Sequence, residues 1–504
     1  MKKAMIQGFR FFPKKFFSYH TIYRIFFVSF SLFLVACQIK FKGNNHLHPL
    51  DFPIKTTHSN NNDVYATLGA TQHPRILKTY GQEYNNPKLE RMLAKIIGKL
   101  VAVSHNPNQT YHVTILNSAH VNAFALPGGY IYVTRGMLAL ANDSSEVAAV
   151  LAHEIAHITA NHGILRLQKK VELKYTNNTS SHVELSSDMK LHNTVKTEQT
   201  LAQFSKNQEL EADAIGIEML HHAGYDAFAF PRFLQSMEAY KAFRNISGTT
   251  NDSLDFLSHH PTTPQRIRLA INKAYKISAS DPKTKNTDRD TFLKSLDNMI
   301  FGDNPEKGYI RENKFVHPKW GVTFSVPTNF TINNSSPAVI ASGPDKIAIR
   351  FDAIPFPTNI SASDYLKSGW VSGLDETSVQ PIIIQGLPAA HAHATNKQWQ
   401  FDIVVIPIKN RVFRFLTAAP HHSKNFEAIA KNTTESFHTL SPQELRKLPP
   451  LKIHIVRVEQ KDTILSLSDK MQDTPHKEKL FRVINGLSPT QTLLESSYVK
   501  IISE

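Results

Sequence analysis

Residues 153–157 read His-Glu-Ile-Ala-His, inside the mostly apolar stretch 146–162 (EVAAVLAHEIAHITANH). Residues four apart on an α-helix share one face, a turn apart. His153 and His157 can therefore offer two imidazole nitrogens to a single Zn²⁺. Glu154 sits beside them, placed to reach a water rather than the metal itself. The helix is well delimited: Asp143-Ser-Ser-Glu146 reads as an N-terminal capping box, an apolar run follows, and Gly163 supplies the stop. The competing reading of the pentapeptide alone is a buried helix whose two histidines are satisfied by their neighbours.

A catalytic zinc takes three protein ligands and keeps one position open. The chain has one cysteine, which rules out an intrachain disulfide and any cysteine-based zinc site, so histidine and carboxylate must hold the metal. A third histidine six residues past His157 would need Gly at 160 and His at 163, but these are Ala160 and Gly163. His162 falls off the ligand face and reads as a helix-end histidine. The remaining option is a Glu on a second helix, residues 201–222 (LAQFSKNQELEADAIGIEMLHH). There Glu209, Asp213, Gly216 and Leu220 share one face, with Glu211 and Glu218 on an opposite, solvated one. Glu209 can complete the site, and Asp213 can accept the free N–H of a ligating histidine. Gly216 lets the two helices approach closely.

Around this pair, residues 87–101 carry a helical stripe of Leu89, Leu93, Ile96, Ile97 and Leu100, and residues 111–116 alternate as a strand. Residues 122–129 (NAFALPGG) lead through a Pro-Gly-Gly turn into a second strand: Tyr130, Ile131, Tyr132, Val133 and Thr134. That strand is the expected edge on which an extended peptide would add by backbone hydrogen bonds. The polar residues 166–200 read as a lid or a disordered insertion.

Residues 122–129, 153–157 and 209–216 (ELEADAIG) together resemble the HtpX/BepA-type zinc metallopeptidases, a family that also contains the integral-membrane CAAX prenyl proteases. The resemblance covers about 64–272, including Gly69–Pro74, Tyr80–Tyr84 and a later His260-Pro261…Arg266-Ile267 signature. It implies one Zn²⁺ held by His153, His157 and Glu209, with Glu154 as general base in peptide hydrolysis. His260 and Arg266 are the candidates for stabilising the oxyanion. His260 could instead cap the open metal position and hold the enzyme latent. The family also suggests misfolded or unassembled envelope proteins as substrates. Two alternatives are a binding scaffold with a latent site and a hydrolase of peptidoglycan peptides.

The formal charge is +15, of which residues 1–36 carry six positive charges and no acid. A moderately basic remainder suits an anionic envelope surface, and no basic stretch interleaved with aromatics speaks for nucleic acid. Ile25–Ala36 (IFFVSFSLFLVA) is a twelve-residue run behind a basic segment, too short to span a bilayer and shaped as a secretory signal. Leu34-Val-Ala-Cys37 resembles a bacterial lipobox, which implies cleavage, acylation at Cys37 and a membrane anchor. Gln38 in the next position suggests the outer membrane of a Gram-negative envelope.

The expected fold class is α+β: a mainly helical zincin (gluzincin) domain with a small sheet, then an α+β domain, then a small βααβ module. The boundaries are 1–36 signal peptide, 37–63 tether, 64–275 peptidase, 276–312 linker, 313–445 interaction domain with a faint PsbP/Mog-like look, and 450–504 terminal module. Alternation at Val322, Phe324 and Val326 and at Ile347, Ile349 and Phe351 marks strands, and Lys409-Asn410 marks a hairpin. His391 and His393, two apart on one such strand, read as surface residues. The last module resembles a degenerate LysM unit, in which Lys461 replaces the usual Gly before Asp462-Thr463, and so suggests peptidoglycan as a partner.

Overall fold

The computed structural model describes residues 64–179, 187–247, 256–280, 288–335, 338–355, 360–472, 474 and 476–504. The expected signal segment, Cys37 and the tether lie outside the described residues. Among those described, no helix is long and apolar enough to cross a membrane.

The first unit opens with α1 (Val64–Tyr80) and α2 (Pro87–Ala102), followed by β1 (His112–Leu116), β2 (Ala123–Leu126) and β3 (Tyr130–Thr134). The stripe expected on α2 is its buried face. Gly129 makes the β2–β3 turn at φ 82°, where a Cβ would lie 2.1 Å from the Thr110 carbonyl, so glycine is the residue that fits. Then come α3 (Arg135–Leu140), α4 (Ser144–Thr159), α5 (His162–Thr179), α6 (Ser187–His222), α7 (Ala229–Ser247), the short α8 (Phe256–His259) and α9 (Pro264–Ser280). Helix α4 is buried on every side from Ser144 to Ala156.

Three expectations change here. The polar residues 166–200 are helical extensions of α5 and α6 wherever they are described, not irregular chain. The strand 130–134 is the middle of its sheet, in the order β1-β3-β2, pairing parallel with β1 and antiparallel with β2. The edge beside α4 is therefore β2, because residues 111–116 return parallel to β3 and cover its other side. The stretch 276–312 is more than a linker: α10 (Arg289–Leu296) buries Phe292, Leu293 and Leu296 in the same core as α4. Its charges are used locally, since Asp288 accepts from the Ser144 amide (3.2 Å) and Arg289 donates to the Asn142 carbonyl (3.2 Å).

The second unit holds β4 (Tyr309–Arg311), β5 (Lys314–His317), β6 (Val322–Ser325), β7 (Thr331–Ser335), β8 (Ala338–Ser342), β9 (Ala348–Pro355), α11 (Ala362–Lys367), β10 (Gln380–Ile384), β11 (Leu387–Thr395), β12 (Trp399–Ile408), β13 (Arg411–Pro420), α12 (Phe426–Glu435), β14 (His438–Thr439) and α13 (Pro442–Arg446). Seven antiparallel strands run β10-β11-β12-β13-β9-β8-β7, beside a four-stranded sheet β14-β6-β5-β4. Phe315, Phe324, Phe351, Phe413, Phe415 and Phe437 fill one core. The other face of β11 presents Ala390, Ala392 and Ala394 to Leu366 of α11. The hairpin at Lys409-Asn410 stands where expected, with Lys409 at φ 53°.

The last unit is β15 (Lys452–Arg457), α14 (Ile464–Asp469), α15 (Lys477–Ile484) and β16 (Tyr498–Ser503), the βααβ order expected. It docks on the first unit. Ile453 joins the core around α4, and the backbone of 298–301 pairs with Leu451 and Ile453. Lys500 is fully buried, its ammonium donating to the carbonyls of Ala139 (2.8 Å) and Ala141 (2.7 Å) at the end of α3. These are carbonyls that a helix terminus leaves without intrahelical partners, and a cation there also suits the helix dipole. Buried Arg135 ties α3 to the segment that follows α10, donating to the carbonyls of Ile300 (2.6 Å) and Gly302 (3.1 Å).

Candidate metal centre

Asp143 caps α4 by accepting from the Glu146 amide, and the Glu146 carboxylate accepts from the Asn142 amide (2.8 Å). Burial raises the Glu146 carboxyl to about 7. The helix ends at Thr159; Asn161 just beyond it takes the left-handed conformation (φ 55°), while Gly163 lies inside α5. That earlier stop turns the chain back beside its own helix.

The helical spacing brings His153 Nε2 within 3.0 Å of His157 Nε2, both facing inward. Helix α6 presents Glu209 to them, with one carboxylate oxygen 3.4 Å from each imidazole. A tetrahedral ion with bonds of about 2.0–2.1 Å separates its ligands by about 3.3 Å. The three side chains thus fit a zinc-sized cation, and their donor atoms converge in a largely buried place. Close helix approach is needed for this. A Cβ on Gly216 would lie 3.2 Å from the His153 backbone nitrogen, which makes it the contact point between α4 and α6.

Glu154 is buried beside the triad, and burial raises its carboxyl above the ordinary range. One of its oxygens, Oε1, has no hydrogen-bond partner among the described residues, and the Ala125 amide of β2 serves the carboxylate as donor. That oxygen makes no hydrogen bond, lies 3.5 Å from His260 Nε2 and stands next to the metal-sized cluster, where it can receive a proton from water.

Asp213 lies 3.0 Å from His153 Nδ1, as the helical face required. Arg266 donates to both Asp213 oxygens, at 2.6 and 2.7 Å, and lies 2.9 Å from Glu209. Burial alone would raise the Asp213 carboxyl, but Arg266 and His153 hold it below its usual value. Glu209 is likewise kept low against its burial by His260 and His153. Burial alone would lower His153, but Asp213 and Glu209 raise it to about 9. Arg266 was expected as an oxyanion donor. Its guanidinium is instead committed to the two carboxylates and nearly inaccessible, so it is a positioning residue.

His260 follows α8 and stacks on Phe256, with ring centroids 4.4 Å apart. Its Nδ1 is 3.0 Å from Glu209 and 3.2 Å from His153 Nε2, and its Nε2 is 3.5 Å from Glu154. It therefore stands inside the ligand cluster as a fourth donor with His153, His157 and Glu209.

Two residues of the site escape sequence reasoning. His162 Nδ1 is 2.9 Å from His157 Nδ1, and its Nε2 is 3.4 Å from Glu211. With His157 Nε2 turned to the triad, its Nδ1–H donates to His162, whose Nε2–H then points at Glu211. The signal was Asn161, a residue that tolerates the left-handed conformation and could have placed the stop one residue before His162. Glu211 is exposed, as expected of a solvated face, and is also the outer end of this chain.

The donor set and its adjacent carboxylate are the kind of group that a metallopeptidase uses. Residues 85–273 match the model of Peptidase family M48. The beta-barrel assembly-enhancing proteases of Yersinia pestis and Escherichia coli (strain K12) are 27% and 26% identical to this chain over 201 and 202 residues, covering 38% of it and 40% of each relative. The mitochondrial metalloendopeptidase OMA1 of Arabidopsis thaliana is 32% identical over 169 residues, or 33% of this chain and 32% of that protein. The chain thus matches two fifths or less of the length of these relatives. A solution structure of cyanobacterial PsbP from Synechocystis aligns with 25% of this chain and 91% of its own at 11% identity and a TM-score of 0.21, a likeness too slight to carry an argument.

Proposed function

We propose that the chain is a zinc endopeptidase of the gluzincin kind, acting in a bacterial envelope on misfolded or unassembled proteins. The observation that carries this reading is the meeting of His153, His157 and Glu209 beside the unpartnered Glu154 oxygen. A bound Zn²⁺ would supply Lewis acidity for the scissile carbonyl and acidify water toward neutrality. Glu154 takes the proton of the attacking water and returns it to the leaving amine. The Asp213–Arg266 pair orients His153 and Glu209, and the His162–Glu211 pair orients His157. An extended substrate adds to β2, whose outer edge faces α4 and whose Ala125 amide already meets Glu154. The envelope placement rests on the lipobox-like residues ending at Cys37 and on the printed names of the bacterial relatives. Peptidoglycan contact through the LysM-like module belongs to the same proposal.

The place of His260 favours a second state of the same enzyme. As a fourth donor it fills the position that water needs, so the resting site is latent until His260 withdraws. Both readings are tested with soluble 38–504, zinc and casein. Wild type should cleave while Glu154→Gln falls by at least about 10²-fold. Cleavage that appears only in His260→Ala supports latency. Equal cleavage by wild type and Glu154→Gln would remove Glu154 from the mechanism, and silence of wild type and His260→Ala alike would leave a binding scaffold.

A further inference from the structure

The second unit carries a cluster that the peptidase reading does not use. Side chains two apart on a strand share a face, so His391 and His393 of β11 point the same way. Register places Asp402 of β12 directly opposite His393. His391 Nε2 is 2.7 Å from Asp402 Oδ2, and His393 Nδ1 is 3.9 Å from the same oxygen. The two imidazoles stand edge to face, 4.5 Å apart at 88°. One ligand atom from each of the three residues lies within 4.8 Å of the others. Among the described residues, the ion-pair partners of Asp402 are these two imidazoles.

We propose that His391, His393 and Asp402 form a second metal site, for a divalent transition cation of the Zn²⁺, Ni²⁺ or Cu²⁺ kind. An ion pair for Asp402 needs one imidazole, whereas here two converge on one carboxylate from a rigid strand pair. Two imidazoles and one carboxylate suit these cations, while Ca²⁺ and Mg²⁺ take oxygen ligands. The fit needs only a modest closure. His391 and Asp402 are largely buried and already in contact, while the His393 side chain is 46% exposed and free to turn inward. Gln380 of β10 pairs with His391 in register, its amide nitrogen 3.4 Å from Nδ1. With that amide reversed, its oxygen accepts the Nδ1 proton and leaves Nε2 as the ligand, the arrangement that outer partners give metal-binding histidines. Three protein ligands leave a position open on the solvent side.

The site is independent of the peptidase reading, and its test keeps the two apart. Tag-free soluble 38–504 is stripped with a chelator, dialysed against low-micromolar Zn²⁺ and its metal counted by mass spectrometry. His393→Ala should hold one equivalent fewer than wild type, with unchanged melting temperature and casein cleavage. His391→Gln should show the same loss, and Glu209→Gln should lose the other equivalent. A wild type holding one ion, lost in His393→Ala and kept in Glu209→Gln, would uphold this site and sink the catalytic one. Equal metal in wild type, His393→Ala and His391→Gln would overturn the proposal.

Discussion

Lys500→Met tests whether the terminal module supports the peptidase core. Methionine preserves the buried stem, so no large cavity forms, but it removes both short bonds to the carbonyls of Ala139 and Ala141. Each buried carbonyl left without a donor costs about 1–3 kcal/mol. Relief from burying an ammonium works the other way, which places the net loss at about 2–4 kcal/mol. That loss lies where α3 hands over to the cap of α4. Amide hydrogen exchange in α4, followed by mass spectrometry, should therefore quicken about thirtyfold to a thousandfold, since each 1.4 kcal/mol is a factor of ten. The protein has an internal control, because Trp320, Trp370 and Trp399 all lie in the second unit. Their denaturation transition should stay in place. Unchanged α4 exchange would refute the argument, and an equal shift of the tryptophan signal would show a global effect instead.

Asp213→Asn and His162→Ala should each weaken metal binding about 10- to 100-fold, measured by competition with a chelator; affinity equal to wild type would show that their contacts orient nothing. Gly216→Val forces branched carbons against the His153 backbone and should cost about 1–3 kcal/mol in thermal unfolding, and a neutral result would mean that α4 and α6 can part without loss. His317 gives a pH dependence in the second unit. Burial lowers it to about 4, and it stacks on Trp320 at 3.7 Å. Between its unfolded value of about 6.5 and about 4, the unfolded chain binds a proton that the folded one does not, so stability falls as pH drops through that window. The loss should approach about 3 kcal/mol by tryptophan-monitored denaturation, and His317→Gln should abolish the slope. A wild-type profile flat from pH 7 to 4 would contradict the burial argument.

The residues of the site were legible wherever local periodicity decides geometry. Four-residue spacing set His153 against His157, and the same rule put Glu209, Asp213 and Gly216 on one face of α6. Pairing between distant strands leaves no such mark, so residues 130–134 looked like an edge until β1 was seen to return parallel beside them. Charge is a poor guide to burial at two places. The stretch 276–312 looks solvated, yet Asp288 and Arg289 satisfy the start of α4 and bring a buried helix with them. Lys500 sits in an apolar alternation where a lysine reads as the exposed position, and only the free carbonyls of α3, some 360 residues away in sequence, explain its burial. Arg266 was found by motif, but its pairing with Asp213 and Glu209 was not, because a signature gives a position and not what the side chain touches.

The dependence of α3 and α4 on residues 451–500 also bears on the order in which the chain is made. A ribosome delivers the candidate metal ligands long before Ile453 and Lys500, so the first unit is incomplete for much of the chain's synthesis. A chain that stops early carries the candidate metal ligands without the strand that secures the start of their helix. Truncated products should therefore hold the start of α4 less firmly than the whole chain does.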